Sequence, residues 1–235
     1  MHRKQNALRA ISTAETDCAT CLSGKRCWGE LALALDSIRG RRELPLERGA
    51  LLLKQGERAS AVYVVVSGCL ILRETLEDGT QRVVGLRLPG ELLGMETYAR
   101  GAHAYTAQAA SETTVCRIQL PPAGSGRANV ALLERLLLKY AVQPERAAAP
   151  WAGLPAAERV AAFIENYAQR AQVGRGTDGL FSLPMTRADI GSYLGLAPET
   201  VVRALGQLRG ARRLSIQGRT IRLAEAQPAS ASPAA

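Results

Sequence analysis

MTRADIGSYLGLAPETVVRALGQLR, residues 185–209, decides how the C-terminal part of this chain folds. Thr186, followed three residues later by Asp189, is a helix start in which side chains satisfy the first backbone donors. Ile190, Tyr193 and Leu194 then share one face, and Gly195 ends the helix. Leu196, Ala197 and Pro198 make a short turn, and from Glu199 a second helix carries Val201, Leu205 and Leu208 inward. Two short helices across a tight glycine-containing turn form a helix-turn-helix, whose second helix can enter the major groove of DNA. Off the apolar stripe and near that helix's start stand Glu199, Thr200, Val202 and Arg203, with Gln207 one to two turns on. Arginine pairs with guanine O6 and N7, and glutamate accepts from cytosine N4, so these are the candidate base-reading residues.

Downstream, LSIQGRTIRL (214–223) reads as a two-stranded wing turning at Gln217-Gly218. Residues 185–223 hold seven arginines against one aspartate and one glutamate, so +5 of the chain's net +9 lies in about a sixth of its length. That localisation favours double-stranded DNA as the partner over a merely arginine-rich composition. Upstream, a helix is expected over 156–171 with Pro155 at its first turn. Before it, VALLERLLLKYAV (130–142) carries Leu133, Leu136, Leu137 and Tyr140 at helical spacing, suited either to a core or to a dimer seam. Pro144 and Pro150 interrupt that pattern, because proline breaks or kinks a helix interior.

Towards the N-terminus the period changes. The runs 50–54, 62–66, 70–75, 82–88, 105–109 and 114–120 are short and apolar, separated by Gly turns, the clearest being Asp78-Gly79. Regular short strands with Gly turns indicate a sandwich or barrel-like roll. Residues 1–30 read as an irregular arm holding Cys18, Cys21 and Cys27 in C-x2-C-x5-C spacing, with Cys69 and Cys116 far off. From the spacing alone, an iron–sulfur cluster, zinc and redox-active thiols all stay open. The 235 residues include ten aromatic ones, which argues against stacking platforms for single-stranded nucleic acid. No apolar run approaches the roughly 18 residues of a membrane span, and the N-terminus lacks a secretory apolar region, so a cytoplasmic chain is expected. There is no P-loop, no Ser–His–Asp set and, with two histidines, no metal-binding His pair, so an enzyme is not expected.

A cysteine-bearing arm, a Gly-punctuated roll, a Leu-rich helix and a winged reader, in this order, resemble the CRP/FNR family of bacterial transcription regulators. The motifs are TRADIGSYLGLAPETVVRALGQL, ERVAAFI, YVVVSGCL and PGELLG. The resemblance implies an α+β chain with these parts: a cysteine arm (1–30), a β-roll sensor domain (31–122), a dimerisation helix and linker (127–152), a winged helix-turn-helix (153–224) and a disordered tail (225–235). The C-x2-C-x5-C arm together with TTVCRI looks like the oxygen-sensing FNR branch. This implies a [4Fe–4S] cluster on Cys18, Cys21, Cys27 and Cys116, with Cys69 assigned to the roll interior. It further implies a homodimer on a palindromic site, paired through Leu133, Leu136, Leu137 and Tyr140, and RNA polymerase as a partner. Glu199 and Arg203 match the family's base-reading positions; Val202 stands where FNR-type readers usually carry Ser and cyclic-AMP-type readers Gly. Cyclic-nucleotide members need an Arg-Ser or Arg-Thr pair for the phosphate, and here His103-Ala104 replaces it, His103 being expected as a plain surface-loop residue. A cyclic-nucleotide-responsive regulator, or a zinc or thiol-redox one of the same fold, is the alternative.

Overall fold

The computed structural model describes residues 42–58, 61–97, 101–119, 151–173, 179–218 and 220–224. The chain divides into two compact units between Ala149 and Pro150. The expected arm with Cys18, Cys21 and Cys27, the Leu-rich helix with its two prolines and the tail lie outside the described residues.

Among its described residues the first unit has eight strands: β1 (Arg42–Leu46), β2 (Leu51–Leu53), β3 (Ala61–Ser67), β4 (Leu70–Thr75), β5 (Gln81–Arg87), β6 (Leu92–Leu93), β7 (Thr106–Ala109) and β8 (Thr113–Gln119). They form two antiparallel four-stranded sheets, ordered β1-β8-β3-β6 and β2-β7-β4-β5. Alternate residues point to opposite faces of a strand. Thus Leu46, Val65 and Val115 from the first sheet meet Leu53, Leu70, Leu72, Ala107 and Ala109 from the second, with Leu93 and Tyr105 closing the same core. Most of the expected strands are present with ends shifted by a residue or so. Two were not expected: β1, which contains Pro45, and the two-residue β6.

The described residues of the second unit pack three helices and a small sheet. Helix α1 (Ala156–Ala171) occupies the expected span, with Pro155 as its N-cap rather than inside its first turn. Val160, Phe163, Ile164, Tyr167 and Ala168 fall at helical spacing and are buried. Phe163 meets Trp151 at 6.4 Å and Tyr193 at 5.6 Å between ring centroids. Helices α2 (Arg187–Leu194) and α3 (Pro198–Gly210) follow β9 (Leu180–Ser182), and β10 (Leu214–Gln217) and β11 (Thr220–Leu223) come after them. The wing is three-stranded, ordered β10-β11-β9, not two-stranded, because β9 pairs with β11 from before the helices.

The elbow between α2 and α3 depends on Gly191. A Cβ there would collide with the Leu196 carbonyl oxygen, itself 3.5 Å at its carbon from the same point. The Leu196 amide donates to Gly191 O at 2.8 Å, so the two backbones cannot separate without losing this bond. Gly191→Ala is expected to destabilise the second unit by about 1–3 kcal/mol, the usual range for overpacking. A denaturant midpoint unchanged from the parent chain would count against that reading.

Candidate nucleic-acid interface and metal-ligand positions

Each end of the helix-turn-helix is fixed by local chemistry. Thr186 Oγ1 accepts from the Asp189 amide at 3.0 Å, and Asp189 Oδ2 accepts from the Thr186 amide at 3.0 Å, a reciprocal capping box. Gly195 ends α2 at φ 67°, the left-handed region glycine occupies without penalty. Helix α3 starts one residue earlier than expected, at Pro198, which fits a first helical position because its missing N–H has no partner to lose.

Along α3, Val201, Ala204, Leu205 and Leu208 are buried. Glu199, Val202, Arg203 and Gln207 are exposed, and at positions i, i+3, i+4 and i+8 they share one outward face. Thr200 is half-buried, and its hydroxyl accepts from Arg203 Nη2 at 3.3 Å, so it steadies the arginine. Of the seven arginines counted here, Arg213 is compensated: Nη1 reaches Glu158 Oε1 at 2.6 Å, and Nη2 lies 3.7 Å from Glu165. The Arg213 hydrogen bond holds Glu158 below the usual carboxylate range. Arg187 is half-buried, while Arg203, Arg209, Arg212 and Arg222 are exposed.

One residue escaped the sequence reading. Arg159, in ERVAAFI, donates from Nη1 to the Leu194 carbonyl at the end of α2 (3.0 Å), and from Nη2 to Ala152 O (2.6 Å) and Leu154 O (3.1 Å). It ties the segment entering the second unit to the elbow. An arginine within a helical stripe gives no sequence signal of such a role.

In the roll, Cys69 is 1% exposed. Burial, with the Glu91 carboxylate nearby, pushes its thiol well above the ordinary value, which suits an inert interior residue. Cys116 is also buried, but on the other side of its sheet. Its neighbour Val115 points into the core between the sheets, so Cys116 points outward from that core, opposite Val64 on β3 and Glu43 on β1. Val62, Val64 and Ile118, on the same face by alternation, are themselves buried. A thiol among buried valine and isoleucine side chains is a soft donor of the kind a soft metal centre takes. Among the described residues no three His, Cys, Asp or Glu side chains come together as a metal site, and Cys116 is the one described member of the four proposed ligands.

His103 is not on the surface. It is 5% exposed, and its Nδ1 lies 2.9 Å from Glu96 Oε1, while Tyr105 donates to Glu96 Oε2 at 2.9 Å. Burial raises the Glu96 pKa, but the hydrogen bonds from His103, its own backbone and Tyr105 outweigh it and hold the carboxyl low. A carboxylate therefore sits beside His103, at the position where a phosphate-binding pair was expected to be missing, and a negative charge there opposes a bound cyclic phosphate. A cleft of about 640 Å³ opens on the outer face of the second sheet, but two of its amides, Gln55 and Gln108, are occupied internally. Gln55 bonds both backbone groups of Thr75, and Gln108 bonds Arg73 and Gly49.

Glu91 carries a pH signature. Its carboxylate accepts from the Leu88 amide at 3.0 Å, yet burial lifts it from 4.5 to about 7. Between those values the folded chain holds a proton that the unfolded chain has released, so stability falls as pH rises through this window. The slope is at most about 1.4 kcal/mol per pH unit. Glu91→Gln should flatten it between pH 5 and about 7, measured by denaturation of both proteins across that range; an unchanged slope would refute the assignment.

Residues 43–121 match the model of the cyclic nucleotide-binding domain, and residues 158–227 that of the Crp-like helix-turn-helix domain. The transcriptional activator protein FnrA of Stutzerimonas stutzeri is 33% identical over 196 residues, 81% of this chain and 79% of that protein. The fumarate and nitrate reduction regulatory protein of Salmonella typhi is 30% identical, covering 80% of this chain and 76% of its own length. The structure of FixK2 from Bradyrhizobium japonicum superposes with a TM-score of 0.61 at 30% identity, over 79% of this chain and 93% of that one. A β-roll joined to a winged helix-turn-helix with an outward, arginine-bearing second helix defines a DNA-binding transcription regulator. The chain belongs to the CRP/FNR family. Among the described residues no helix is long and apolar enough to cross a membrane.

Proposed function

We propose that this chain is an oxygen-responsive regulator that binds palindromic promoter DNA as a homodimer when oxygen is low, with a [4Fe–4S] cluster held by Cys18, Cys21, Cys27 and Cys116. The observation that carries the reading is the register of β8, which turns Val115 into the core and Cys116 out of it. The anaerobic regulators among the relatives, such as that of Haemophilus influenzae at 30% identity, support the same condition of action. When bound, the cluster supplies an oxygen-labile centre whose loss shifts the population away from the associated state. Leu133, Leu136, Leu137 and Tyr140 are the residues proposed to pair the two chains. Two α3 helices then face successive major-groove turns, where Arg203 pairs with guanine, Glu199 accepts from cytosine, and Thr200 and Gln207 flank them. Glu77 and Asp78, exposed at the β4–β5 hairpin tip, are proposed to touch RNA polymerase.

The test is iron and acid-labile sulfide per chain after purification without oxygen, with the visible spectrum followed on admitting air. About four of each and a colour that bleaches are expected. Colourless protein without sulfide, even after anaerobic reconstitution, would move the reading to zinc or thiol chemistry. Calorimetry with cyclic AMP should give no binding heat, and a saturable heat would favour the cyclic-nucleotide reading instead.

A further inference from the structure

Val202 is 56% exposed, the most open of the large apolar side chains in the described structure. It lies between Glu199 and Arg203 on the outward face of α3, while the helix's other aliphatic residues, Val201 and Leu205 among them, are buried. Nothing in the fold asks for a valine there. A β-branched residue is a poorer helix former than the straight-chain residues suited to an exposed position. Its χ1 is also nearly fixed in a helix, so the two methyls are held in one direction before any partner arrives. In the major groove the thymine C5-methyl is the apolar group that base edges present.

We infer that Val202 is a specificity-determining residue that reads a 5-methylpyrimidine, the C5-methyl of thymine, on the base pair its side chain meets in the major groove. This rests on the DNA-reading proposal above. Valine neither donates nor accepts a hydrogen bond, so the methyl is the whole of the signal at that pair. It follows that 5-methylcytosine can stand in for thymine there, and that methylation of a cytosine in a degenerate half-site strengthens binding.

The test begins with the full chain, purified without oxygen, selecting duplexes from a randomised pool. Each thymine of the selected half-site is then replaced by deoxyuridine, which removes the methyl and keeps the pairing. One thymine per half-site should show about a fourfold loss of affinity, the value of one buried methyl-sized group, and about sixteenfold when both half-sites are changed. In Val202→Ala, which shortens the apolar contact, the same replacement should cost clearly less, and the selected pool should lose its preference for thymine at that position while keeping the rest of the half-site. At that position 5-methylcytosine should bind more tightly than cytosine. Uracil replacement that is neutral at every thymine, or a penalty that persists undiminished in Val202→Ala, would overturn the inference and leave DNA reading intact. A pool with no enriched sequence would overturn DNA reading itself, and this inference with it.

Discussion

Replacing Cys116 by serine is expected to reduce the iron and acid-labile sulfide of anaerobically purified chain from about four of each to background. The same change should abolish the difference in DNA affinity between anaerobic and aerated protein. A thiolate is a soft donor that ionises near neutral pH, whereas a serine hydroxyl is hard and stays protonated. The exchange is nearly isosteric, and Cys116 stands in β8 with β1 on one side and β3 on the other, so the strand itself has no reason to move. Burying the hydroxyl costs at most about 1–3 kcal/mol, which a melting curve would register separately. Cys69→Ser serves as the control: its thiol is 1% exposed at the start of β4 and should be indifferent to iron. Full iron and sulfide in Cys116→Ser would remove Cys116 from the ligand set.

Arg203→Ala should weaken binding to the selected site by about 1–3 kcal/mol per half-site, and up to twice that for a dimer engaging both halves. Affinity for random duplex should change far less, because an exposed arginine contributes mainly charge there, and that contribution is screened by salt. Arg203 has one hydrogen-bond partner on its own helix, Thr200, so alanine leaves no buried group unsatisfied and the helix intact. The measurement is a pair of titrations, specific and random, at one salt concentration. Equal losses on both would mean that Arg203 contacts phosphate and not a base.

The reader was the most legible part because its determinants are local. Thr186 and Asp189 sit three residues apart, Gly195 follows the last apolar position, and the spacing of Val201, Leu205 and Leu208 is the helical period itself. Strands β1, β6 and β9 were not legible, since each exists through a distant partner: β1 pairs with β8, β6 with β3, and β9 with β11 across two intervening helices. The interior position of His103 also depends on tertiary structure. Its partner Glu96 lies seven residues away in sequence, with no periodicity to announce the pair. For Cys116, sequence supplied the residue and the fold supplied its direction. A shift of one residue in β8 would have sent the thiol into the aliphatic core, where Cys69 already shows how a buried sulfur becomes chemically silent.

The place of β8 between two hydrogen-bonded neighbours has a thermodynamic consequence. A group bound through a residue on a central strand is held in a geometry that the folded sheet has and the unfolded chain lacks, so binding and unfolding share one free-energy cycle. The bound group raises the melting temperature of the first unit by mass action, to the extent that its concentration exceeds its dissociation constant. If Cys116 belongs to the ligand set proposed above, the thermal transition of the roll is a gauge of its occupancy, readable without DNA and without following colour.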